Sequence, residues 1–582
     1  DGSACPGPIG RAILNMQPPS KRWLIANRLS EQAEQELQPY HPVLRQILYN
    51  RGIRTADAAQ QYVQALPPPG TAPENLANMD AAVERISFAI QQQEPIAVYG
   101  DYDADGVTAC ALLVQALQQL NGLVRGYIPD RFSEGYGLNI EALSALHDEG
   151  TRLVITVDCG IRSIQEAEHA QSIGLDLIIT DHHHPGSSIP PAIAVINPKL
   201  PFDTYPEKNL AGVGLAYKLV EALFRHHQLP ESRTQEFLDL VALGTVTDLV
   251  PLVGENRYLV RAGLEHIHQP QRQGILSLIG VSGLNPRTIN ASDIGFMLGP
   301  RLNAAGRLDS ALAAFNLLLT SDVAQASRYA QLLNSQNNER QRITREIQAR
   351  AEELAFSADS DPLLLFAADP DFNPGVVGLA ASRLTDLYYR PAIVAARGDE
   401  FTRGSCRSIP EFHITEALDQ CADLLHHYGG HAAAAGFTIY THLLPDFIQR
   451  LQQIAAQQIG TLDLRPVLEI DADVDLTAFR ADLLQALTVL QPTGMGNRSA
   501  LFMTRNALVR HQRTIGKDNT HLKLILEDSQ RVSHDAIAFR MGHLAGNLPN
   551  RIDLVFAFEK NEFNGQSYLQ LNVRDIRPAS SN

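Results

Sequence analysis

Between about residues 80 and 200, short continuous apolar runs alternate with segments that are apolar on one helical face. The runs are rich in β-branched residues and predict buried strands, and the segments between them predict helices. This alternation is typical of a parallel sheet with helices on both faces, so we expect an α/β fold. The predicted strands cover 96–99, 153–157, 175–180 and 194–196, and two of the predicted helices cover 107–120 and 163–173.

The pattern changes three times further along the chain. Residues 210–320 are mostly helical, and 321–356 form one long polar helical repeat, which predicts a bridging helix. Strands and helices alternate again over 361–460, and short strands after Gly460 predict a small β-barrel. A chain of 582 residues is long enough for three or four domains. We expect an N-terminal appendage (1–75), a parallel-sheet catalytic domain (76–320), a connecting helix (321–358), a smaller α/β domain (359–462) and a C-terminal barrel (463–582).

Composition narrows the class of protein. The chain is 45% hydrophobic and 19% charged, as in an ordinary globular protein. No stretch approaches the ~18 apolar residues that a membrane span needs, and no secretory signal pattern opens the chain. Five scattered cysteines without CxxC spacing favour a reducing compartment over a disulfide framework or a zinc cage. We therefore expect a cytoplasmic protein without a membrane partner.

The net charge of −16 argues against a nucleic-acid partner at first sight, because phosphate contacts need local positive charge. The predicted barrel nevertheless contains a basic stretch between residues 505 and 531. One interpretation is a solvated strand face, and the other is a basic groove on an acidic body. The basic residues are Arg505, Arg510, Arg513, Lys517, Lys523 and Arg531.

Acidic residues and histidines follow three of the predicted strands. Asp103 and Asp105 come after the first strand, Asp158 after the second, and Asp181-His182-His183 after the third. Ligands of parallel sheets gather at the carboxyl ends of the strands, so we expect these side chains to meet. Asp101 has the same parity as Asp103 and could join the two acids, but it lies nearer the strand. Gly106 would let the backbone turn sharply into the helix.

Asp248 is a further candidate, since it lies in an apolar, small-residue helix where an unpaired charge is costly. Carboxylates with one or two imidazoles suit Mn²⁺ or Mg²⁺, and enough ligands are present for two ions ~3.5–4 Å apart. Such a pair activates water for in-line displacement at phosphorus. Solvent-facing loop acids and helix caps are the alternatives for each motif taken alone.

Other chemistries have weaker support. An EF-hand would need a glutamate several positions after the Asp101–Asp105 run, and an apolar helix follows instead. No serine or cysteine lies in a nucleophile elbow, and no GxxxxGK[ST] phosphate loop is present. Metal-activated hydrolysis is therefore favoured over covalent catalysis.

The motifs, in their order, resemble the DHH phosphoesterase superfamily, and within it the single-strand exonucleases. The resemblance extends over nearly the whole chain. Its motifs are Gly100-Asp-Tyr-Asp-Ala-Asp-Gly106, Arg131-Phe-Ser-Glu-Gly-Tyr-Gly137, Val157-Asp-Cys-Gly160, Thr180-Asp-His-His183, Gly244-Thr-Val-Thr-Asp248, Gly299-Pro-Arg-Leu-Asn-Ala-Ala-Gly-Arg307, Asn373-Pro-Gly-Val-Val-Gly378, Gly404-Ser-Cys-Arg-Ser408 and Gly429-Gly-His431.

The resemblance implies roles for these residues. His183 would be a second ligand or a phosphate contact, and Asp181 would orient it. The implied metal ligands are Asp103, Asp105, Asp158, His182 and Asp248, and the implied phosphate-binding residues are Arg131, Arg307, Ser405, Arg407 and His431. Two positions depart from the family pattern: Tyr99 stands where many members have a histidine, and Cys406 stands where relatives often have alanine.

The resemblance also implies a fold and a substrate. The barrel would be an OB-fold that binds a single strand through basic residues and stacking aromatics, with Phe502, Phe539 and Phe556 as possible stackers. We expect a monomeric Mn²⁺- or Mg²⁺-dependent exonuclease that degrades single-stranded DNA 5′→3′ to mononucleotides in repair and recombination. A helicase and a single-strand-binding protein are the partners implied. Two alternatives stay open: a phosphodiesterase of short oligonucleotides or dinucleotides, and a non-catalytic replication scaffold.

Overall fold

The computed structural model describes residues 20–131, 134–135, 137–357, 359–563 and 566–579. These residues divide into two compact units. The smaller unit comprises the chain up to Leu24 together with 336–468, and the larger comprises 25–335 and 469–582. The barrel therefore belongs to the same unit as the predicted catalytic domain. No helix among the described residues combines the length and the apolar character needed to cross a membrane.

Residues before the central sheet form one strand and four helices. Side chains of Ser30 and Thr55 accept hydrogen bonds from the backbone three residues on and fix the starts of two helices. The elements are β1 (Arg22–Ile25), α1 (Glu31–Glu36), α2 (Pro42–Asn50), α3 (Ala56–Gln64) and α4 (Met79–Gln92).

The central sheet of the larger unit is parallel throughout, as predicted. Its strands and the helices between them are β2 (Ile96–Tyr99), α5 (Ala104–Gln119), β3 (Val124–Tyr127), α6 (Ile140–Asp148), β4 (Leu153–Val157), α7 (Ile164–Ser172), β5 (Asp176–Thr180) and β6 (Ala194–Ile196). The strand order is β3-β2-β4-β5-β6, so the order reverses between β2 and β4. Ligands of open parallel sheets bind beside such a reversal.

Both faces of this sheet are buried, which explains the continuous apolar runs. Ile96 and Val98 belong to one hydrophobic cluster, and Ala97 and Tyr99 belong to the cluster on the opposite face. Strand β3 has only partly buried residues and lies at the edge of the sheet, and its sequence gives no strong apolar run.

The rest of this half of the larger unit is helical, as predicted. The helix Leu238–Thr247 is buried on all sides up to Val246, so it shows no amphipathic repeat. The helices are α8 (Gly212–His226), α9 (Glu231–Gln235), α10 (Leu238–Thr247), α11 (Gly254–His268), α12 (Gln273–Ser282), α13 (Ala291–Asp293), α14 (Gly299–Leu308) and α15 (Leu312–Leu319). The predicted long polar helix is α16 (Val323–Ala355), whose 33 residues span ~50 Å.

The smaller unit contains a mixed five-stranded sheet. Its elements are β7 (Leu365–Asp369), α17 (Val377–Tyr388), β8 (Ala392–Arg397), β9 (Phe401–Arg407), α18 (Ile414–Asp419), β10 (Leu425–His431), β11 (Ala434–Tyr440) and α19 (Leu444–Ile459). The order is β10-β11-β9-β8-β7, and only β7 and β8 pair in parallel.

The C-terminal region forms the predicted barrel. Its elements are β12 (Val467–Ile470), β13 (Ala472–Asp473), α20 (Ala481–Leu487), β14 (Phe502–Ile515), β15 (His521–Glu527), β16 (Ser533–Ala538), β17 (Arg551–Phe563) and β18 (Gln566–Pro578). Strands β14, β15, β16, β18 and β17 pair in that order, and β17 pairs back onto β14 to close the barrel.

Only one of the three suggested stacking residues lies at the barrel surface. Phe502 and Phe556 are fully buried in the barrel core, so they are packing residues and not candidates for stacking on bases. Phe539 is 48% exposed and lies edge-on to His521, with 5.2 Å between the ring centroids.

Candidate metal centre

Asp103 and Asp105 lie at the start of α5. Asp103 caps this helix, because its Oδ1 accepts hydrogen bonds from the backbone of Asp105 (2.9 Å) and Gly106 (3.1 Å). The helix thus begins three residues earlier than predicted, and Gly106 is helical instead of forming a sharp turn. It must be glycine for another reason, since a Cβ there would lie 2.6 Å from the backbone nitrogen of Asp101.

Asp105 is held by the start of α8. Its Oδ2 accepts from the backbone nitrogen of Gly212 at 2.7 Å, and its Oδ1 accepts from that of Val213 at 2.8 Å. Positively polarised helix ends stabilise a carboxylate in this position. A Cβ on Gly212 would come within 2.5 Å of the Asp158 side chain, so a glycine is required for the helix to approach both acids.

Asp158 follows β4 with a left-handed backbone, at φ +64°. Non-glycine residues avoid this region, and such strain is concentrated at functional sites. The strain is held in place by a hydrogen bond from the Asp158 backbone nitrogen to the carbonyl of Thr180 (3.0 Å) on the next strand. The carboxylate is buried, and its Oδ1 has no hydrogen-bond partner among the described residues.

His182 lies at the centre of the acidic cluster. Its Nε2 is 3.1 Å from Asp158 Oδ1, 3.5 Å from Asp248 Oδ2 and 4.0 Å from Asp105 Oδ2. Burial, together with the neighbouring His183, lowers the pKa of His182 to about 3. The imidazole is therefore neutral at physiological pH, which is the form that binds a metal.

The pKa values of the surrounding carboxylates are shifted in the opposite direction. Burial and the Asp103 charge raise the pKa of Asp105 to about 7, and burial and the Asp105 charge raise that of Asp248 to about 9. Burial and the Asp105 charge also raise the pKa of Asp158. Like charges this close repel one another, and a bound cation would offset that repulsion.

His183 and Asp181 form a separate pair. His183 Nδ1 is 2.7 Å from Asp181 Oδ1, which also accepts from the His183 backbone, and Asp181 Oδ2 accepts from the backbone of Ile161 (2.9 Å). Burial alone would lower the pKa of His183, but the hydrogen bond to Asp181 and the charges of Asp181, Asp103 and Asp105 together outweigh it, and the pKa is raised. The pKa values of the two adjacent histidines are therefore shifted in opposite directions, down for His182 and up for His183.

The donor set fits divalent cations. Three groups of side chains each bring their ligand atoms within 4.8 Å of one another, and they overlap at Asp158 and His182. The groups are Asp158, His182 and His183; Asp105, His182 and Asp248; and Asp101, Asp103 and Asp158. Oxygen and imidazole ligands shared between neighbouring groups suit two ions such as Mn²⁺ or Mg²⁺. Buried atoms that lack a hydrogen-bond partner within the described chain, Asp158 Oδ1 and both His182 nitrogens, are explained by such ligation.

Three residues at this edge did not emerge as site residues from the sequence. Asp101 was placed nearer the strand, yet it is buried beside Asp103 and Asp158, and its Oδ1 has no hydrogen-bond partner in the described part of the chain. Lys199 Nζ donates to the carbonyl of His182 (2.5 Å), and Asn197 Nδ2 donates to that of His183 (2.9 Å). Both follow β6, so the strand-end argument applied to the fourth strand would have found them.

Arg131 and Arg307 lie near the loop that carries the first acids. The guanidinium of Arg131 is 5.0 Å from the ring centroid of Tyr102, and the charges of both arginines act on the Tyr102 hydroxyl. Both arginines therefore lie near Tyr102, between Asp101 and Asp103 in the chain, and the charge of Arg131 also acts on Asp101. Phe132, Ser133 and Tyr136 of the Arg131 motif are outside the described residues.

Tyr99 cannot act as the missing histidine. Its ring stacks on Tyr127 with 5.0 Å between centroids, and its hydroxyl donates to the carbonyl of Gly137 (3.0 Å). The side chain is fully buried in the hydrophobic cluster on the sheet face opposite α5 and α8.

Ser405, Arg407 and His431 lie in the smaller unit. Arg407 Nη1 donates to Ser405 Oγ (3.1 Å), and both side chains pack against Gly378, where a Cβ would lie 2.8 Å from Ser405 Oγ. Arg407 and His431 pair with the same residue of β11, Ala434, from its two sides. Burial lowers the pKa of Arg407, and no carboxylate forms an ion pair with it among the described residues. A buried guanidinium without a carboxylate partner, next to a hydroxyl, is suited to binding an anion.

The basic residues of the barrel are partly neutralised. Arg505 pairs with Asp473 (2.8 Å), Arg510 with Glu527 (2.6 Å) and Lys523 with Asp535 (3.5 Å). Half of the six basic residues of this stretch are therefore paired with acids. The surface is less basic than the sequence alone predicts.

Comparison with known proteins identifies three family models along the chain. Residues 95–245 match the DHH family N-terminal domain, 361–457 match the DHHA1 domain, and 470–575 match the RecJ OB domain. The single-stranded-DNA-specific exonuclease RecJ of Bacillus subtilis is 39% identical over 562 residues, which is 95% of this chain and 70% of that protein.

Two solved structures have the same fold over nearly the whole chain. RecJ from Thermus thermophilus in complex with Mn²⁺ has a TM-score of 0.84 and 31% identity, covering 96% of this chain and 80% of that one. The same protein in complex with Mg²⁺ has a TM-score of 0.78 and 28% identity, covering 96% and 79%. With this extent of similarity and the matching order of domains, the chain belongs to the RecJ family of the DHH superfamily.

Proposed function

We propose that the protein is a Mn²⁺- or Mg²⁺-dependent exonuclease that degrades single-stranded DNA 5′→3′ to 5′-mononucleotides in DNA repair and recombination. The observation that carries this proposal is His182, whose Nε2 lies within 4.0 Å of three carboxylates in a relative of single-strand-specific exonucleases. Two divalent ions at such a centre supply activation of water and stabilisation of charge during in-line displacement at phosphorus.

The residues of the larger unit would have separate roles in metal binding and phosphate binding. Asp103, Asp105, Asp158, His182 and Asp248 would hold the ions, with Asp101 as an additional carboxylate. Neutral His182 offers a nitrogen lone pair, and the helix start at Gly212 fixes the orientation of Asp105. His183 is held by Asp181 and favours its protonated form, so it would donate a hydrogen bond to a phosphate oxygen.

Arginines would supply the phosphate contacts. Arg131 and Arg307 lie near Tyr102 in the loop that carries the first acids, and their planar guanidiniums can bind two phosphate oxygens at once. In the smaller unit, we propose that Ser405, Arg407 and His431 bind the 5′-phosphate or the phosphodiester next to it. We also propose that the chain consists of the five segments expected from its hydrophobic pattern, with the barrel as the single-strand-binding domain.

The cellular setting is also part of the proposal. We propose a monomeric, cytoplasmic enzyme that receives single strands from a helicase and acts beside a single-strand-binding protein. The four described cysteines are unpaired and buried, in keeping with a reducing compartment.

Labelled strands test the proposed function. A single strand carrying a label at the 5′ or the 3′ end is incubated with and without Mn²⁺, and the products are separated by size. The account predicts release of a mononucleotide from the 5′ label at the earliest times, only with metal. Release first from the 3′ label, or equal cleavage in EDTA, would refute it. Equal rates on a dinucleotide and a long strand would favour the short-substrate alternative.

A further inference from the structure

A cavity of about 600 Å³ opens within the larger unit, where three parts of the chain meet. These are the N-terminal segment at 50–68, the beginning of α11 at 253–257, and residues 469–498 before the barrel strands. A volume of this size holds a ligand as large as a nucleotide. None of the residues of the metal centre lines it, so it is a separate site.

The cavity walls carry more positive than negative charge. Three arginines, Arg51, Arg257 and Arg498, face two acids, Glu469 and Asp471. Arg498 pairs with both acids, since its guanidinium is 3.4 Å from Glu469 and 2.8 Å from Asp471, and the three arginines leave one excess positive charge in the walls. Arg51 and Arg257 are thus left without a carboxylate within ion-pair distance in the described chain.

Arg257 is the more unusual of the two, because it is only 3% exposed. Its Nη2 donates to the carbonyls of Val489 (2.6 Å) and Gln491 (3.1 Å), and its Nη1 donates to that of Tyr62. Its Nε is buried without a partner among the described residues. A buried charge with only neutral partners is costly, and an anion nearby would reduce that cost.

Arg51 adds a second charge at the same place. It donates to the Tyr62 hydroxyl, the Asn497 side chain and the carbonyl of Arg498 (2.7 Å). The Tyr62 ring lies between the two guanidiniums, 5.7 Å from that of Arg51 and 4.0 Å from that of Arg257. The hydrogen bonds explain how these arginines join three chain segments, but neutral amide side chains could do the same. The charge itself is unexplained by structure and, in a chain of net charge −16, creates a local positive potential.

The cavity is connected to the metal centre through the backbone. Gly254, which lines the cavity, is six residues after Asp248, so the two lie within ~20 Å of each other. The intervening loop is fixed by a hydrogen bond from the backbone of Leu252 to the carbonyl of Met495 (2.7 Å). The segment that follows Asp248 therefore leads into the wall of the cavity.

We propose that this cavity is a second anion site, which binds the phosphate of a nucleotide or of a DNA strand. Guanidiniums in a partly dehydrated cavity favour such a group over a carboxylate because they can contact several of its oxygens. If the phosphate belongs to the strand, the inference rests on the proposed function. If it belongs to a free mononucleotide, the site would bind the product of the reaction.

Two neighbouring glutamines allow a matched test. Gln60 and Gln61 are both exposed on α3, but only Gln61 lines the cavity. In the full-length protein with EDTA, binding is measured for a fluorescent 5′-phosphorylated (dT)₂₀ by anisotropy and for dTMP by calorimetry. Gln61→Glu brings a negative charge to the cavity and should weaken binding of at least one probe roughly three- to tenfold. Gln60→Glu should change neither by more than about twofold.

The outcomes separate the two sources of phosphate. Weakening for (dT)₂₀ alone assigns the cavity to the strand, and weakening for dTMP assigns it to the free nucleotide. Equal affinities of the two variants for both probes would overturn the inference. Arg51→Gln, which keeps hydrogen-bond donors and removes the charge, should reproduce the loss, and its melting temperature reports whether it folds. Because binding is measured without hydrolysis, the result holds even if the labelled-strand assay contradicts the proposed function.

Discussion

The metal centre and the barrel surface differ in how their charged side chains are paired. Around His182, carboxylates from separate parts of the chain lie together, and none of them forms an ion pair with a lysine or arginine among the described residues. On the barrel, Arg505, Arg510 and Lys523 are each paired with an acid at the surface. Exposed pairs of this kind contribute little stability, whereas a buried group of like charges is costly until an oppositely charged ligand binds. Local imbalance of charge is thus a better indication of function here than the net charge of the chain.

The largest expected effect is on catalysis. Asp158→Asn keeps the shape of the side chain but removes the charge of a residue that belongs to two of the candidate ligand groups, so we expect the rate on single-stranded DNA to fall about 10³-fold or more. Asp176→Asn is the matched control, since Asp176 begins the neighbouring strand at the opposite edge and pairs with Arg85 (2.6 Å). It should retain activity within about threefold, as measured by release of acid-soluble nucleotides. A similar loss in both variants would contradict the assignment of the site.

A smaller loss of activity is expected from Asp181, which contacts His183 beside the proposed metal ligands. Asp181→Asn keeps a hydrogen-bond acceptor for Ile161 but removes a charge that raises the pKa of His183. Residues that orient ligands typically contribute 10–100-fold, so we expect a loss in that range with bound metal retained. Steady-state rates together with metal content check this. Full activity would show that Asp181 has no orienting role.

The barrel offers the contrasting pair Phe539 and Phe502. Phe539→Ala should weaken binding of a single strand by about tenfold without a change in melting temperature, because exposed rings stack on bases for ~1–3 kcal/mol. Phe502→Ala should instead reduce the free energy of unfolding by about 3–5 kcal/mol, since it empties part of the core. Anisotropy titrations and thermal unfolding separate the two outcomes. Unchanged DNA affinity in Phe539→Ala would remove this residue from the binding surface.

The smallest predicted effect concerns pH. The raised pKa values of Asp105 (about 7) and Asp248 (about 9) mean that the folded, metal-free protein binds more protons than the unfolded chain above pH 4. Its stability should therefore fall as pH rises from 6 to 9, by a few degrees in melting temperature. Mn²⁺ should abolish the decline, and Asp158→Asn should reduce it. A metal-free protein that becomes more stable over this range would contradict the shifts.

Much of the fold could be predicted because its strands are buried on both faces. The runs at 96–99 and 153–157 coincide with the observed strands, as does the long helix within a few residues. Edge strand β3 and the barrel strands β14 and β16 were not predicted, because their partly exposed residues leave no continuous apolar run. Pairing with neighbouring strands, which is not visible in the sequence, determines their structure.

The metal centre, like the fold, could be predicted only in part from the sequence. Acids at strand ends were visible in the sequence because parallel strands end at one edge. The start of α8, which binds Asp105, and the left-handed backbone of Asp158 were not, since both depend on contacts between distant segments. The role of Gly106 was predicted incorrectly for the same reason. A glycine is required there by close packing against Asp101 and not by a sharp turn of the backbone.

Metal stoichiometry tests the central claim most directly. Metal-free protein is titrated with Mn²⁺, and free ion is followed by its paramagnetic resonance signal, with Asp158→Asn beside the unaltered chain. The account predicts two Mn²⁺ bound per chain, and loss of at least one in the variant, because Asp158 belongs to two of the ligand groups. Binding of a single ion, or of two ions with equal affinity in both proteins, would contradict a two-metal centre built around Asp158 and His182.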